Sequence, residues 1–224
     1  MIPVACAPEP DWFERVRRPG LDALAELTGA PRSRARRGPK RRQTYATRQD
    51  IPPDKLPDTW TVAIDDPDGL RDRYRGLCAY LALYLEPGTG AATVDHFVPK
   101  SIDRELAYEW SNYRLCTARV NGHRGDRVLP LDPFTLRPGL FALELAGFQV
   151  VAGPAAGPDD ERAIEQTICV LGLNARPCWR AREAYVDDYR TGPPHGIALA
   201  RLEARAPFVA AELRRQGELV RGDR

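Results

Sequence analysis

A strong turn signal, PGTG at residues 87–90, lies in the middle of the chain. Before it, CAYLALYLEP alternates large apolar residues with smaller ones, as a strand does, and after it ATVDHFVPKS begins with a second strand-like stretch. Two such segments joined by a turn predict a β-hairpin. Asp95 and His96 are expected at the end of its second strand.

Helical patterns flank this region. Residues 11–28 have an apolar rhythm that Pro19-Gly20 interrupts, which predicts two short helical pieces. Residues 66–74 predict a short helix that ends near Gly76.

The C-terminal third is predicted to be mainly helical. LFALELAGFQVVAG predicts a further hairpin that turns at Ala146-Gly147. Residues 159–171, residues 176–189 and a segment that begins at Pro207 have helical patterns. The predicted fold class is therefore α+β, with a central hairpin unit, an additional hairpin, flanking helices and a helical C-terminal region.

The length of 224 residues is sufficient to bury one sizeable core. We divide the chain into an N-terminal region with helices and a basic arm (1–65), a central core (66–152) and a helical region packed on that core (153–224).

The composition excludes several classes of protein. The five cysteines are scattered and form no C-x-x-C pair, which argues against a disulfide framework and favours a reducing cytoplasm. No uncharged run approaches the roughly 20 residues that span a bilayer. The 33 basic and 31 acidic residues nearly balance, so any electrostatic attraction to nucleic acid must be local.

One local concentration of charge is present. PRSRARRGPKRRQ contains no acidic residue. Its cations are Arg32, Arg34, Arg36, Arg37, Lys40, Arg41 and Arg42. The segment is either a phosphate-binding arm or a solvated basic loop, and composition alone favours neither.

The residues most suited to chemistry lie between Val94 and Asp126. Hydrolysis of a phosphodiester needs a base for water and a cation for the developing charge; histidine suits the first task and hard oxygen ligands suit the second. An Asp-His pair alone is typical of an exposed loop end. Asn112, Asn121 and Arg124 follow the pair in the same stretch and add further polar side chains to it.

In this arrangement VDHFVPKS and AYEWSNYRLCTARVNGHRGD resemble the HNH, or ββα-metal (His-Me finger), endonucleases. The resemblance covers the central third of the chain. It implies that Asp95 and Asn121 are metal ligands and that His96 is the general base. Asn112 resembles the loop asparagine that helps to hold the histidine side of such a site in place.

The resemblance also implies a second strand at Tyr113–Cys116 and a contact between Arg124 and a phosphate or leaving group. The implied activity is one-metal hydrolysis of nucleic acid, with Mg²⁺ or Mn²⁺ as cofactor. DNA is the favoured substrate, although the residues do not distinguish DNA from RNA.

The flanking segments look similar to HNH effectors of bacterial anti-phage systems, both Septu-like and retron-linked, which implies a possible ATPase partner subunit. Many HNH proteins brace the hairpin with two C-x-x-C zinc pairs, but this chain has only Cys78 and Cys116 at those places. We therefore expect no structural zinc and predict that Leu81 and Val120 extend the apolar packing instead.

Other residues have less specific interpretations. Lys100, Arg104 and His123 are expected to approach the nucleic-acid backbone or to face solvent. Asp132 either supports the site or forms a turn before Pro133. His195 is expected to be a structural loop residue. The alternative function is a catalytically inactive HNH-like subunit that binds nucleic acid or associates with an ATPase.

Overall fold

A computed structural model describes residues 1–34 and 44–223 of the chain. Arg34 is exposed at the end of the first range. Arg32, from the same basic segment, pairs with Glu26 at 2.6 Å. The other cations of the segment lie outside the described residues; they are Arg36, Arg37, Lys40, Arg41 and Arg42.

Helix α1 (Glu14–Leu27) occupies the first of the predicted helical stretches. The prediction of two helical pieces is wrong, because α1 continues through Pro19. Proline removes one backbone donor from a helix interior, and the burial of Val16 and Leu24 on one face offsets that loss. A Cβ on Gly20 would lie 2.1 Å from the Tyr108 ring, so glycine allows α1 to pack closely there.

Residues 44–91 contain short elements only. Three 3₁₀ turns, at Arg48–Asp50, Pro53–Lys55 and Thr59–Thr61, precede the short helices α2 (Val62–Asp65) and α3 (Leu70–Arg73).

The strand predicted for CAYLALYLEP is wrong. Residues 78–83 fold into a tight loop, in which Cys78 N donates to Leu83 O at 2.9 Å and Ala82 N donates to Cys78 O at 2.9 Å. Ala82 adopts a positive φ of 51°, which a strand does not accommodate. The hairpin predicted between this segment and ATVDHF is therefore absent from the described part of the chain, where Leu77 and Tyr84 form only an isolated bridge.

The central unit consists of two strands and a helix. Strand β1 (Ala92–His96) pairs antiparallel with β2 (Tyr113–Thr117), with His96 opposite Tyr113. Helix α4 (Ala118–Arg124) follows β2 directly, and the Thr117 side chain accepts a hydrogen bond from Val120 N at 3.1 Å, as an N-cap does. The long β1–β2 connection contains 3₁₀ turns at Leu106–Tyr108 and Trp110–Asn112.

The predicted second hairpin and C-terminal helices are confirmed. Strands β3 (Phe141–Glu144) and β4 (Gln149–Ala152) form an antiparallel pair. Four helices follow, of which only α7 was not predicted. They are α5 (Pro158–Leu171), α6 (Arg176–Thr191), α7 (Leu199–Arg205) and α8 (Pro207–Gln216).

One continuous apolar core contains side chains from all three predicted regions, including Phe13, Leu115 and Leu213. The expected burial of Leu81 and Val120 is confirmed, and the free thiols of Cys78 and Cys116 are buried with them. The helices and two small sheets agree with the predicted α+β class. None of the described helices has both the length and the apolar character needed to cross a bilayer.

Candidate active site

A small cavity of about 150 Å³ lies where β1 ends beside α4. Its polar lining residues are Asp95, His96, Lys100, Asn121 and Asp126. Four of these were predicted as site residues from the sequence. The β1–β2–α4 unit therefore brings the expected base, both expected cation ligands and a lysine to one concave surface.

Asp95 is almost fully buried, and its Oδ2 atom accepts hydrogen bonds from the Tyr80 hydroxyl and from Nη1 of Arg124. Among the described residues, no hydrogen bond reaches Oδ1. Burial raises the pKa of Asp95, and the Arg124 guanidinium acts in the opposite direction. The carboxylate thus has one oxygen held by the protein.

Arg124 is buried against this carboxylate. Its Nη1 atom also donates to His96 O at 2.9 Å, and Nη2 donates to Phe97 O. The side chain therefore connects α4 to the end of β1. Because it is buried, its guanidinium binds the protein here, whereas the sequence predicted a contact with phosphate or a leaving group.

His96 has a defined tautomer. Its Nε2 atom lies 3.1 Å from the carbonyl oxygen of Ala107, which can only accept, so Nε2 carries the hydrogen and Nδ1 has the lone pair. The ring packs edge-on against Trp60, at a centroid distance of 4.9 Å, and against Tyr113 at 5.2 Å. Burial, together with the nearby Lys100 charge, lowers the pKa of His96 to about 3. The imidazole is therefore neutral at neutral pH.

Asn112 holds the loop after His96. Its Oδ1 atom accepts from Val98 N at 2.7 Å, and its Nδ2 atom donates to Val98 O at 3.1 Å and to Leu106 O at 2.9 Å. Leu106 lies beside Ala107, the partner of His96. Asn112 thus fastens both ends of the segment whose carbonyl orients the imidazole.

The oxygen donors around the cavity fit a hard divalent cation. Nδ2 of Asn121 donates to Thr93 Oγ1 at 3.0 Å and to Val94 O at 3.3 Å, which leaves the amide oxygen outside these bonds. Carboxylate and amide oxygens are the ligands that Mg²⁺ and Mn²⁺ prefer. In residues 1–34 and 44–223, no three His, Cys, Asp or Glu side chains gather as a metal cluster, so such a cation would keep several waters.

Lys100 provides positive charge at the cavity. Its Nζ atom lies over the Trp60 ring, 4.4 Å from the ring centroid, and Trp60 in turn contacts His96. No carboxylate in the described part of the chain lies within ion-pair distance of Lys100. Arg104, which the sequence also placed near the backbone of nucleic acid, is instead buried and donates to Ile51 O at 2.7 Å.

His123 lies elsewhere. Its Nδ1 atom is 3.2 Å from Val170 O, and its ring packs against Gly172 after α5. It borders a different surface cavity, between α4 and α6, that also includes Arg119 and Cys178. The structure therefore does not bring His123 to the His96 cavity.

Sequence reasoning missed three neighbours of the site: Tyr80, Trp60 and Asp126. Tyr80 and Trp60 reach Asp95 and His96 from loops distant in sequence, and a single sequence has no signal for such contacts. Asp126 lies two residues beyond Arg124, and its place next to the motif was the available signal.

Comparisons with known proteins find no matching protein-family model and no significantly similar curated sequence.

Proposed function

We propose that this chain is a metal-dependent endonuclease of the HNH type that hydrolyses phosphodiester bonds in nucleic acid, with DNA as the favoured substrate. The observation that carries this proposal is the common cavity lined by His96, Asp95 and Asn121. Hydrolysis requires that the base and the cation ligands contact the same phosphodiester. Residues on separate surfaces could not contact one phosphodiester.

His96 acts as the general base in this proposal. With Nε2 donating to Ala107 O, Nδ1 is the nitrogen that can take a proton from water, whose oxygen then attacks phosphorus as the 3′ oxygen leaves. A base with a pKa of about 3 is weak in the free protein. A bound phosphodiester places negative charge near the ring, which favours the imidazolium and raises that pKa.

Asp95 and Asn121 would hold the divalent cation, with Asp126 at the edge of the same cavity. When bound, such a cation supplies Lewis-acid stabilisation of charge on the phosphate and the leaving oxygen. Lys100 would attract the phosphate, because its ammonium group has no carboxylate partner among the described residues. The basic segment that contains Arg34 would extend this attraction along the nucleic-acid backbone.

The biological setting is also part of the proposal. The similarity in sequence character to HNH effectors supports a role in anti-phage defence, together with an ATPase partner subunit. The five free cysteines are compatible with a reducing cytoplasm.

A second candidate function is an inactive HNH-like subunit that binds nucleic acid. The buried ion pair between Asp95 and Arg124 favours it, because the guanidinium already compensates the carboxylate charge that would attract a cation. The low pKa of His96 is in keeping with the same interpretation.

Nicking of supercoiled plasmid in Mg²⁺, Mn²⁺ or chelator separates the two candidates. For a nuclease, we expect metal-dependent nicking that His96→Ala slows about a hundredfold to ten-thousandfold. His195→Ala is the matched control, because His195 is exposed and does not line this cavity. Equal rates for His96→Ala and wild type would remove His96 as the base. Binding of DNA by wild type without any nicking would favour the inactive subunit.

A further inference from the structure

Tyr80 contacts the site from outside the β1–β2–α4 unit. It belongs to the tight loop of residues 78–83, is completely buried, and directs its hydroxyl to Oδ2 of Asp95. An ionised carboxylate only accepts hydrogen bonds, so the tyrosine is the donor.

The loop that carries Tyr80 is fixed to the central sheet. Ala79 N donates to Leu115 O of β2 at 2.8 Å, and Cys78 N donates to Leu83 O within the loop. The residues on both sides of this attachment, Cys78 and Tyr80, are buried. The Tyr80 hydroxyl therefore holds a constant position relative to β1, where Asp95 lies.

Both donors to Asp95 bind the same oxygen. Nη1 of Arg124 and the Tyr80 hydroxyl meet at Oδ2, while Oδ1 accepts no hydrogen bond from the described residues. The two donors belong to separate parts of the chain, the 78–83 loop and α4, and together they restrain the carboxylate more than a single donor would. The orientation of Oδ1 is fixed as a result.

We propose that Tyr80 is a positioning residue of the cation site, which holds Oδ2 of Asp95 so that Oδ1 alone is offered to a divalent cation. This inference rests on the proposed function, since it requires that Asp95 is a cation ligand. Tyr80 lies outside the HNH-like sequence pattern. Arg124 supplies the compensating charge, and Tyr80 supplies a second restraint from a separate part of the chain.

Partners that orient a metal ligand typically contribute tenfold to a hundredfold to metal affinity. Removal of the Tyr80 hydroxyl alone should therefore raise the dissociation constant for Mn²⁺ by about that factor. At saturating Mn²⁺, the nicking rate of the variant should return to within a few-fold of wild type, because His96 is unchanged.

The test is direct titration of the full chain with Mn²⁺, followed by electron paramagnetic resonance, for wild type, Tyr80→Phe and Tyr189→Phe. Tyr189 is a matched control: it is also buried and its hydroxyl donates to a carboxylate, Asp223 Oδ2, at 2.8 Å, but it lies on α6. We expect weaker binding for Tyr80→Phe only. Equal affinities for wild type and Tyr80→Phe overturn the positioning role, whereas no Mn²⁺ binding by wild type overturns the proposed function and this role with it.

A second measurement retains the hydroxyl and so does not depend on the stability of Tyr80→Phe. 3-Fluorotyrosine is introduced at position 80 or, as control, at position 189, and ¹⁹F spectra are recorded during addition of Mg²⁺. A shift of the signal at position 80, with none at position 189, supports the proposal. An unchanged signal at position 80 in a chain that binds Mg²⁺ overturns it.

Discussion

Arg114 on β2 and Asp132, in the segment after α4, form a two-point ion pair in which Nε lies 2.9 Å from Oδ1 and Nη2 lies 2.6 Å from Oδ2. The guanidinium also packs against Phe134, 3.5 Å from its ring centroid. Asp132 Oδ1 accepts a hydrogen bond from Phe134 N at 3.0 Å, as expected for a turn at Pro133. One carboxylate thus closes the turn and joins it to the central sheet.

Asp132→Asn should destabilise the fold. The Arg114 side chain is 3% exposed, so loss of its counter-charge leaves a buried cation and costs about 3 kcal/mol. Urea denaturation measures the difference. Asp54→Asn is the control, because its ion pair with Lys55 is largely exposed and contributes about 0–1 kcal/mol. Similar effects of the two substitutions would show that the Arg114 pair contributes little.

Asn112→Ala should weaken the orientation of His96 and slow nicking. The substitution removes three hydrogen bonds that hold Val98 and Leu106, and we expect about 2–3 kcal/mol lower stability from the unsatisfied backbone groups. The Mn²⁺ dissociation constant should stay near that of wild type, because Asn112 does not border the cavity. A large loss of Mn²⁺ affinity without slower nicking would contradict this separation of roles.

The basic segment should contribute to binding mainly through charge. Replacement by glutamine should weaken DNA binding; the replaced residues are Arg36, Arg37, Lys40, Arg41 and Arg42. The slope of the logarithm of the binding constant against the logarithm of salt concentration should become less steep by about 0.9 for each phosphate that the protein no longer neutralises. Fluorescence anisotropy at several salt concentrations gives this slope. Arg162→Gln and Arg201→Gln, exposed on α5 and α7, serve as controls. An unchanged slope would mean that the segment is a solvated loop.

Glu212 should make stability depend on pH. Burial acts to raise its pKa, but the Arg215 guanidinium and the Leu143 amide outweigh that effect, so its folded pKa is lowered. A lowered carboxyl pKa contributes stability above the unfolded value that is lost as pH falls through the folded value. The stability difference between wild type and Glu212→Gln should therefore be largest near neutral pH and should shrink in acid. A difference that stays constant with pH would exclude this ionisation.

Periodicity and turn residues predicted the elements whose packing is local. The β3–β4 hairpin and helices α5, α6 and α8 follow from alternation, Pro at the helix start and acids in the first turn. The errors are at Pro19 and at residues 78–86. In both places long-range burial outweighs the local signal, since α1 packs against Tyr108 and the 78–83 loop packs against β2.

For the site, the sequence could predict which residues lie close together, but not which hydrogen bonds and ion pairs they form. Asp95, His96 and Asn121 meet because β1 pairs with β2 and α4 follows β2 directly. The interior position of Arg124 was not predictable, since its spacing in α4 fits either a phosphate contact or an ion pair. Its burial depends on where the Asp95 carboxylate lies in three dimensions.

The bonds from Arg124 to Asp95 and to the carbonyls of His96 and Phe97 also couple α4 to β1 during fluctuations. Any partial opening between them would leave a guanidinium and a carboxylate unpaired in the interior, at a high free-energy cost. Amide protons of β1 should therefore exchange with solvent deuterium only through cooperative opening of the whole strand–helix unit. The arrangement of the cavity residues would then be kept or lost together with the whole unit, without a partly opened intermediate.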